Sequence, residues 1–196
     1  MEHIISDIRK CEKCGLCKTR TQAVPGDGNL NAQIMFVGEA PGKNEDLQGK
    51  PFVGRAGKLL DEMLSKIELE RKDVYITNIV KCRPPENRDP TPNEKKICSE
   101  HLDKQIENMK PKVIVCLGRH SAGYLFEKYR IEFPGIGEAH GKAYKNNEGI
   151  VLFPIYHPAA AIYNQKLKSD LEKDFKNLAE ILKIKQEKTG TILDYF

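Results

Sequence analysis

The sequence predicts an α/β fold, a three-layer sandwich with a central four-stranded parallel sheet flanked by helices. Two observations predict it. Four short runs rich in β-branched residues are bounded by turn-forming residues, and segments with the three- and four-residue spacing of amphipathic helices lie between them. Strands that alternate with helices form parallel sheets, because parallel strands are joined by crossovers whose helices cover the two faces.

The predicted elements follow in chain order. Strands are expected at residues 33–38, 74–78, 112–117 and 150–155. A first helix is expected over 56–66, where apolar residues recur at intervals of three and four. Thr91 opens a second helix as a capping residue, followed by a proline at the first helical position and an early acid, and this helix runs to about Met109. A last helix spans about 167–184.

Length and composition describe one ordinary domain. The chain has 196 residues, of which 39% are apolar and 31% charged, and this predicts a single domain over 1–184 followed by a flexible tail over 185–196. No stretch approaches the ~20 apolar residues that span a bilayer, and no apolar signal-peptide core follows Met1. We therefore expect an intracellular, cytoplasmic protein. Its net charge of +4 is compatible with nucleic acid but too small to argue for it.

The cysteines are the unusual feature of the composition. Cys11, Cys14 and Cys17 form a C-x2-C-x2-C run, and Cys82 and Cys98 follow far along the chain. Two-residue spacing lets two thiolates bind one metal, so four of these five residues are expected to form a metal site or an iron–sulfur cluster. Spacing alone does not separate zinc from iron–sulfur, nor does it select among the first three cysteines. Cys116 lies inside a predicted strand and is expected to be a core thiol.

Three polar segments follow the predicted strands, where open α/β sheets bind their ligands. They are residues 38–42, 77–85 and 156–159. The first is not a phosphate-binding loop, because only three residues separate its glycines where that motif has four, and Asn44 stands where the motif has Ser or Thr. Phe52, Asn78 and His157 would give neighbouring strand ends a stacking ring, an amide and an imidazole. That combination suits a pocket for a flat polar ring, such as a base extruded from DNA.

Four motifs, together with the cysteines, closely resemble the family 4 uracil-DNA glycosylases, the iron–sulfur enzymes of thermophilic archaea and bacteria. The motifs are residues 38–42 (GEAPG), 49–57 (GKPFVGRAG), 77–85 (TNIVKCRPP) and 157–158 (HP). The resemblance covers about residues 8–184. It implies the uracil-DNA glycosylase-like form of the predicted fold. It also implies a [4Fe–4S] cluster held by Cys11, Cys14, Cys82 and Cys98, with Cys17 as an extra thiol.

The resemblance also implies a role for each site residue. Phe52 would stack on the flipped uracil, Asn78 would accept from N3–H and donate to O4, and His157 would donate to O2. The backbone of the first loop would complete the uracil pocket, through residues Gly38, Ala40 and Gly42.

The first loop lacks a catalytic carboxylate. The best-known uracil-DNA glycosylases have an aspartate where Ala40 stands here, so Glu39 becomes the nearest candidate for orienting water. Stabilisation of the departing uracil anion by fixed donors would then supply most of the catalysis. No lysine in these motifs is placed to form a Schiff base, so we expect a monofunctional glycosylase that leaves an abasic site and starts base excision repair.

DNA contacts are expected to be mostly to phosphates. Lys81, Arg83 and Arg88 are candidates, as is the basic N-terminal run of Arg9, Lys10, Lys13, Lys18 and Arg20. Tyr163, in the loop after His157, is a candidate wedge into the duplex. The expected partner is uracil-containing DNA, either single- or double-stranded. We expect the protein to be a monomer and to have no membrane partner.

The last eight residues resemble a sliding-clamp-binding peptide, with Ile192 three residues before the aromatic pair Tyr195 and Phe196. Thr189 replaces the usual leading glutamine. Two other functions remain open at this stage. One is a non-catalytic iron–sulfur or zinc module for DNA binding or redox chemistry on the same scaffold, and the other is a related glycosylase with a different base preference.

Overall fold

The computed structural model describes residues 1–189, with side chains to Leu182. Its sheet is built on four parallel strands, β2 (Ile34–Gly38), β3 (Tyr75–Asn78), β4 (Val113–Leu117) and β6 (Val151–Ile155). These are the four predicted strands, each starting one residue later than expected and ending at the expected residue. Their spatial order is β3-β2-β4-β6, so their carboxyl ends lie along one edge of the sheet.

The sheet has six strands in total, two more than predicted. The short strands β1 (Asp27–Gly28) and β5 (Tyr144–Lys145) pair antiparallel to the outer strands β3 and β6. A two-residue strand is too short to show an apolar alternation, so the sequence pattern did not reveal either one. The parallel centre and the α/β class are confirmed.

Eight α-helices surround the sheet in the described part of the chain. They are α1 (Glu2–Lys10), α2 (Lys43–Gln48), α3 (Arg55–Lys66), α4 (Pro92–Met109), α5 (Arg119–Lys128), α6 (Ile136–Ala139), α7 (Pro158–Ala161) and α8 (Gln165–Thr189). The predicted start of α4 is confirmed by a reciprocal cap. Glu94 N donates to Thr91 Oγ1 at 3.2 Å, and Thr91 N donates to the Glu94 carboxylate at 2.8 Å.

Two apolar cores lie on opposite faces of the sheet, which confirms the three-layer sandwich. On one face, Met35 and Val37 of β2 pack with residues of α1, α4 and α5. On the other, Ile34 and Phe36 pack with α3, α7 and α8. Neighbouring residues of β2 therefore point to opposite cores. Such burial on both faces is the reason that the central strands are continuous apolar runs.

The prediction omitted five helices, α1, α2, α5, α6 and α7. Three of them have six residues or fewer, which is too short for a periodic pattern. α1 buries only Ile4 and Ile8, so its apolar stripe is narrow. α5 follows Gly118, whose φ of 87° makes the turn out of β4.

The last helix is longer than predicted, and it runs from Gln165 to Thr189. The clamp-binding-like residues Ile192, Tyr195 and Phe196 lie outside the described residues. No helix in the described part of the chain has the length and apolar character needed to cross a bilayer.

Candidate active site

The ends of the parallel strands bring together the residues that the sequence singled out. Gly38 at the end of β2 lies directly opposite Asn78 at the end of β3. A Cβ on Gly38 would overlap Asn78 Oδ1 and come within 2.9 Å of the Phe52 ring. The rings of Phe52 and His157 lie 5.7 Å apart between centroids, at 31° to each other. The Phe52 ring therefore lies between Asn78 and His157, whose strands β3 and β6 are not adjacent in the sheet but are separated by β2 and β4.

The backbone around Phe52 is strained and firmly held. Phe52 has a φ of 53°, which is rare for a residue with a side chain. The Arg71 guanidinium donates to the carbonyl of Phe52, and at 3.1 Å to that of Pro51. On the other side, Glu45 Oε1 accepts from the backbone N–H groups of Val53 and Gly54, at 2.9 and 3.0 Å. These bonds fix the direction of the Phe52 ring.

The Phe52 carbonyl packs directly against Gly57, because a Cβ at position 57 would overlap that carbonyl. We expect Gly57→Ala to lower the free energy of unfolding by about 1–3 kcal/mol, as overpacking typically does. Gly123→Ala in α5 is the matched control, since nothing lies within 4 Å of its Cβ position. It should be neutral or stabilising by up to about 1 kcal/mol. Equal thermal unfolding temperatures for the two variants would contradict the prediction.

Asn78 offers a buried acceptor with no partner. The residue is 2% exposed, and its Oδ1 has no hydrogen-bond partner within the described residues. Burying such a group costs free energy unless a donor meets it. Asn78 Oδ1 therefore lies beside Gly38 as a buried acceptor whose hydrogen-bonding capacity is unused among the described residues.

His157 has one defined tautomer. Its Nδ1 accepts a hydrogen bond from Ala159 N at 3.1 Å at the start of α7, so the neutral ring carries its proton on Nε2. Removal from water, with a smaller effect of nearby His120, lowers the pKa of His157 to about 4. Gly118 packs against this side chain, because a Cβ there would lie 2.8 Å from His157 Cβ. The site thus has a neutral N–H donor at physiological pH.

Glu39 belongs to a charged cluster that sequence reasoning missed. Its Oε1 lies 2.9 Å from Lys95 Nζ and 3.4 Å from His120 Nδ1. His120 Nε2 lies 3.7 Å from Asp89 Oδ2. His120 lies three residues beyond the end of β4, so inspection of the residues after every predicted strand would have included it.

The five candidate metal-binding cysteines lie in three parts of the chain that the fold brings together. Cys82 and Cys98 are buried, and burial raises the pKa of Cys82 and brings that of Cys98 to about 12. The Arg20 guanidinium opposes this rise in the pKa of Cys82, and Cys14 and Cys11 add to it. Cys17 is half-buried in a short 3₁₀ turn.

Two N–H donors point at the sulfurs. Arg20 Nη1 donates to Cys82 Sγ at 3.0 Å, and the backbone N–H of Lys81 donates to Cys98 Sγ at 3.1 Å. Charge-assisted and backbone donors of this kind stabilise the thiolate form that metals bind. Donors of this kind suit a centre bound through cysteine, but no three of the five sulfurs lie within 4.8 Å of one another, as ligands of a single zinc ion would.

The family of the chain follows from comparison with known proteins. A family model described as the uracil DNA glycosylase superfamily matches residues 25–183. The chain belongs to that superfamily. A type-4 uracil-DNA glycosylase of Saccharolobus solfataricus is 52% identical over 189 residues, which are 94% of this chain and 88% of that protein. Another, of Archaeoglobus fulgidus, is 50% identical over 198 residues, covering 100% of this chain and 98% of that protein.

The superfamily fold is also found in a solved structure. The crystal structure of wild-type Pedobacter heparinus SMUG2 matches with a TM-score of 0.53 over 80% of this chain and 77% of that one. Its sequence identity of 12% extends the likeness to the fold alone. The resemblance to the type-4 glycosylases and the α/β glycosylase-like fold are both confirmed.

The first loop, residues 38–42, is held in place by α2, the helix that follows it. Gly42 is the N-cap of α2, and its carbonyl accepts from Asp46 N at 3.0 Å. Asp46 is 3% exposed, and its carboxylate accepts from Thr21 N at 2.9 Å. Ala40 packs against the core, which leaves only backbone groups at this point of the loop.

Lys81 corrects one prediction. Its side chain is 1% exposed, and Nζ donates to Thr77 Oγ1, Asn78 O and Gln105 Oε1 at 2.6–2.7 Å. Burial lowers its pKa to about 7. A group enclosed in this way does not reach a phosphate, so the expected DNA contact by Lys81 is wrong. Lys81 instead stabilises the end of β3, where the site residue Asn78 lies.

The other DNA-contact candidates lie at or near the surface. Arg83 Nε donates to Asn87 Oδ1 at 2.8 Å, and Arg88 makes a bidentate pair with Glu94 at 2.7 and 2.8 Å. Tyr163 is 76% exposed, and the Arg55 guanidinium lies 4.9 Å above its ring. Arg55 also donates to the Tyr163 hydroxyl, so this exposed side chain is held by Arg55 at both its ring and its hydroxyl.

Proposed function

We propose that the protein hydrolyses the N-glycosidic bond of uracil in DNA and so starts base excision repair. The observation that carries the proposal is the buried, unpartnered Oδ1 of Asn78 beside the Phe52 ring and the Nε2–H of His157. Uracil offers one N–H between two carbonyl oxygens, which matches this pattern of acceptor and donors. The matched relatives are themselves named type-4 uracil-DNA glycosylases.

The bound base is recognised on its face and on its polar edge. Phe52 stacks on the extruded ring, which requires the fixed loop described above. Asn78 Oδ1 accepts from uracil N3–H, its amide donates to O4, and His157 Nε2–H donates to O2. Uracil N3–H thus supplies the donor that the buried Asn78 Oδ1 does not find among the described residues.

Bond cleavage leaves negative charge on the uracil ring, and the site is prepared for it. The His157 donor is in place before the reaction, together with the backbone of Gly38, Ala40 and Gly42. Such preorganised donors are typically worth about 10²–10³ in rate each. Glu39 orients the attacking water, because Ala40 supplies no carboxylate. The charged neighbours Lys95 and His120 keep Glu39 in place.

The enzyme is monofunctional and leaves an abasic site. A glycosylase that also cuts the strand needs an amine to attack the sugar. Lys81 is the lysine nearest to Asn78 in the site motifs, and its Nζ is enclosed by three acceptors. Its amine is therefore not available for a Schiff base.

The test is release of free uracil from single- and double-stranded oligonucleotides. Free base should appear while the strand stays intact until alkali cleaves the abasic site. Release of a different base would favour the related glycosylase of other preference. If the metal-loaded protein binds DNA but releases no base, the non-catalytic DNA-binding or redox module replaces this function.

The pH dependence of His157 tests its role directly. With its pKa lowered to about 4 from 6.5, the ring stays neutral through pH 5–8, and the Nε2 donor is present throughout. Below pH 6.5 the unfolded chain takes up a proton that the folded chain does not, so stability should fall between pH 6.5 and 4. Ring nitrogen NMR shifts should show Nδ1 unprotonated and Nε2 protonated at pH 6. Protonation of both nitrogens at that pH would contradict the role.

We further propose that Cys11, Cys14, Cys82 and Cys98 hold a [4Fe–4S] cluster, with Cys17 outside the set. When bound, such a cluster ties the segment before β1 to the loop after β3 and to α4. The two N–H donors to Cys82 and Cys98 support the assignment, as does burial of both thiols. A brown protein absorbing near ~400 nm would exclude a plain zinc site.

For DNA binding, we propose phosphate contacts from Arg83 and Arg88 and a wedge from Tyr163. The wedge proposal rests on the exposure of this aromatic side chain in the loop after His157. We also propose that the enzyme is a cytoplasmic monomer associated with the nucleoid.

The tail residues Ile192, Tyr195 and Phe196 are proposed to bind a sliding clamp. Truncation at Thr189 should then abolish clamp affinity and leave uracil release from short oligonucleotides unchanged.

A further inference from the structure

A second concave surface lies beside the proposed uracil site. It is a groove of about 760 Å³ between the first half of α4 and the outer side of α5. We call it the α4–α5 groove. It is comparable in size to the pockets that hold small organic ligands, and it is large enough for a nucleotide.

The charge of the α4–α5 groove is mostly positive. Its lining includes Lys95, Lys96 and Lys128, against one carboxylate, Glu127. Lys95 pairs with Glu39, and Lys128 lies 3.0 Å from Asp103. Lys96 is exposed and has no carboxylate partner among the described residues. A phosphate would therefore find an uncompensated cation at Lys96.

The remaining lining is suited to a flat apolar surface. Pro90 and Pro92 lie on one side, and Tyr124 lies across from them on α5. The Tyr124 hydroxyl donates to Asp103 Oδ1 at 2.7 Å, which fixes the ring. Aromatic rings that are held in place beside basic side chains are the usual platform for single-stranded nucleic acid.

The α4–α5 groove is continuous with the site. Lys95 and His120 line the groove, and both also contact Glu39 in the loop that faces the uracil pocket. His120 stands two residues beyond Gly118, which packs against His157. A strand whose base enters the pocket would pass this opening.

We propose that the α4–α5 groove binds the sugar-phosphate and base of a nucleotide that flanks the extruded uracil. The proposal rests on the proposed function and specifies which surface holds the substrate strand. Lys96 contacts a phosphate, and the groove's prolines and Tyr124 contact the neighbouring base. Positive charge and continuity with the pocket favour a DNA strand over a protein partner.

The test compares Lys96→Glu with Lys104→Glu, an equal charge change on an exposed residue of the same helix outside the groove. The probe is a fluorescent single-stranded oligonucleotide with a tetrahydrofuran abasic analogue, measured by anisotropy. Lys96→Glu should weaken binding about tenfold more than Lys104→Glu and lower the salt slope by about 1. Shortening the oligonucleotide on one side of the analogue, and not the other, should remove this difference.

Equal losses for the two variants, or a loss that does not depend on either flank, would overturn the proposal. If the groove binds a protein instead, Lys96→Glu will leave the affinity for the oligonucleotide at the level of Lys104→Glu, with the same consequence. The readout is binding and requires no bond cleavage. A wild-type protein that binds the probe through Lys96 but releases no uracil would refute the proposed function and leave only the binding of a DNA strand at the α4–α5 groove supported.

Discussion

Replacing Asn78 with alanine is expected to lower kcat for uracil release by about 10²–10³-fold. The change removes the acceptor for N3–H and the donor to O4 together, in a site where a lost preorganised contact costs about 3–4 kcal/mol. Lys81 donates to the backbone carbonyl of Asn78, so this support of β3 survives the substitution. Single-turnover kinetics on a single-stranded oligonucleotide gives the rate without product release.

The control for Asn78→Ala is Asn93→Ala in the exposed first turn of α4, which should keep the wild-type rate. Circular dichroism and thermal unfolding must show that the Asn78 variant is folded. Free uracil should inhibit the wild type and fail to inhibit Asn78→Ala. A folded Asn78→Ala protein with a rate within threefold of wild type would refute the assignment of the uracil-reading amide.

Replacing Cys98 with serine is expected to remove the cluster and to lower the unfolding temperature by about 10 °C or more. The proposed cluster joins α4 to the segment before β1, and metal-site binding energy is folding energy in small domains. In a chain of this size, 1 kcal/mol corresponds to about 2–4 °C. Iron analysis and absorbance near ~400 nm measure the loss of the cluster, and calorimetry measures the unfolding temperature.

Cys17→Ser is the matched control, because Cys17 lies in the same N-terminal run but outside the proposed set. It should keep iron, absorbance and unfolding temperature. Loss of iron from Cys17→Ser would put Cys17 among the ligands. Full iron content in Cys98→Ser would remove Cys98 from them, and stoichiometric zinc in the wild type would replace the cluster with a zinc site.

The sequence was sufficient to predict the sheet centre and its functional edge. The runs that end at Gly38, Asn78 and Ile155 are apolar on both faces, because each is buried between two helix layers. A continuous apolar run is a property of the local sequence, so it predicts a buried strand without a structure. Asn78 and His157 lie at strand ends, as predicted, but at strands that are not neighbours, and the Phe52 ring reaches both sides from the loop between α2 and α3.

The supporting contacts depend on residues far apart in the chain, and no local pattern reveals them. Arg71 holds the Phe52 loop from a segment 19 residues away. Gln105 Oε1 of α4 accepts a hydrogen bond from Lys81 Nζ, which also donates to Thr77 and Asn78 at the end of β3. A lysine two residues before an arginine in a predicted loop indicates surface charge, so the burial of Lys81 was not predictable from the local sequence. His120 and Lys95 meet at Glu39 only because α4 and α5 begin near the same strand end.

The glycines around the pocket bear on how base preference can evolve. Gly38, Gly57 and Gly118 each stand where a single methyl group would collide with Asn78, Phe52 or His157. Any nonsynonymous change in their codons adds at least that methyl group, so the pocket walls cannot be reshaped in small steps. New specificity in this lineage should therefore arise by exchanging the polar groups that read the base, and sequence drift should be concentrated away from these three positions.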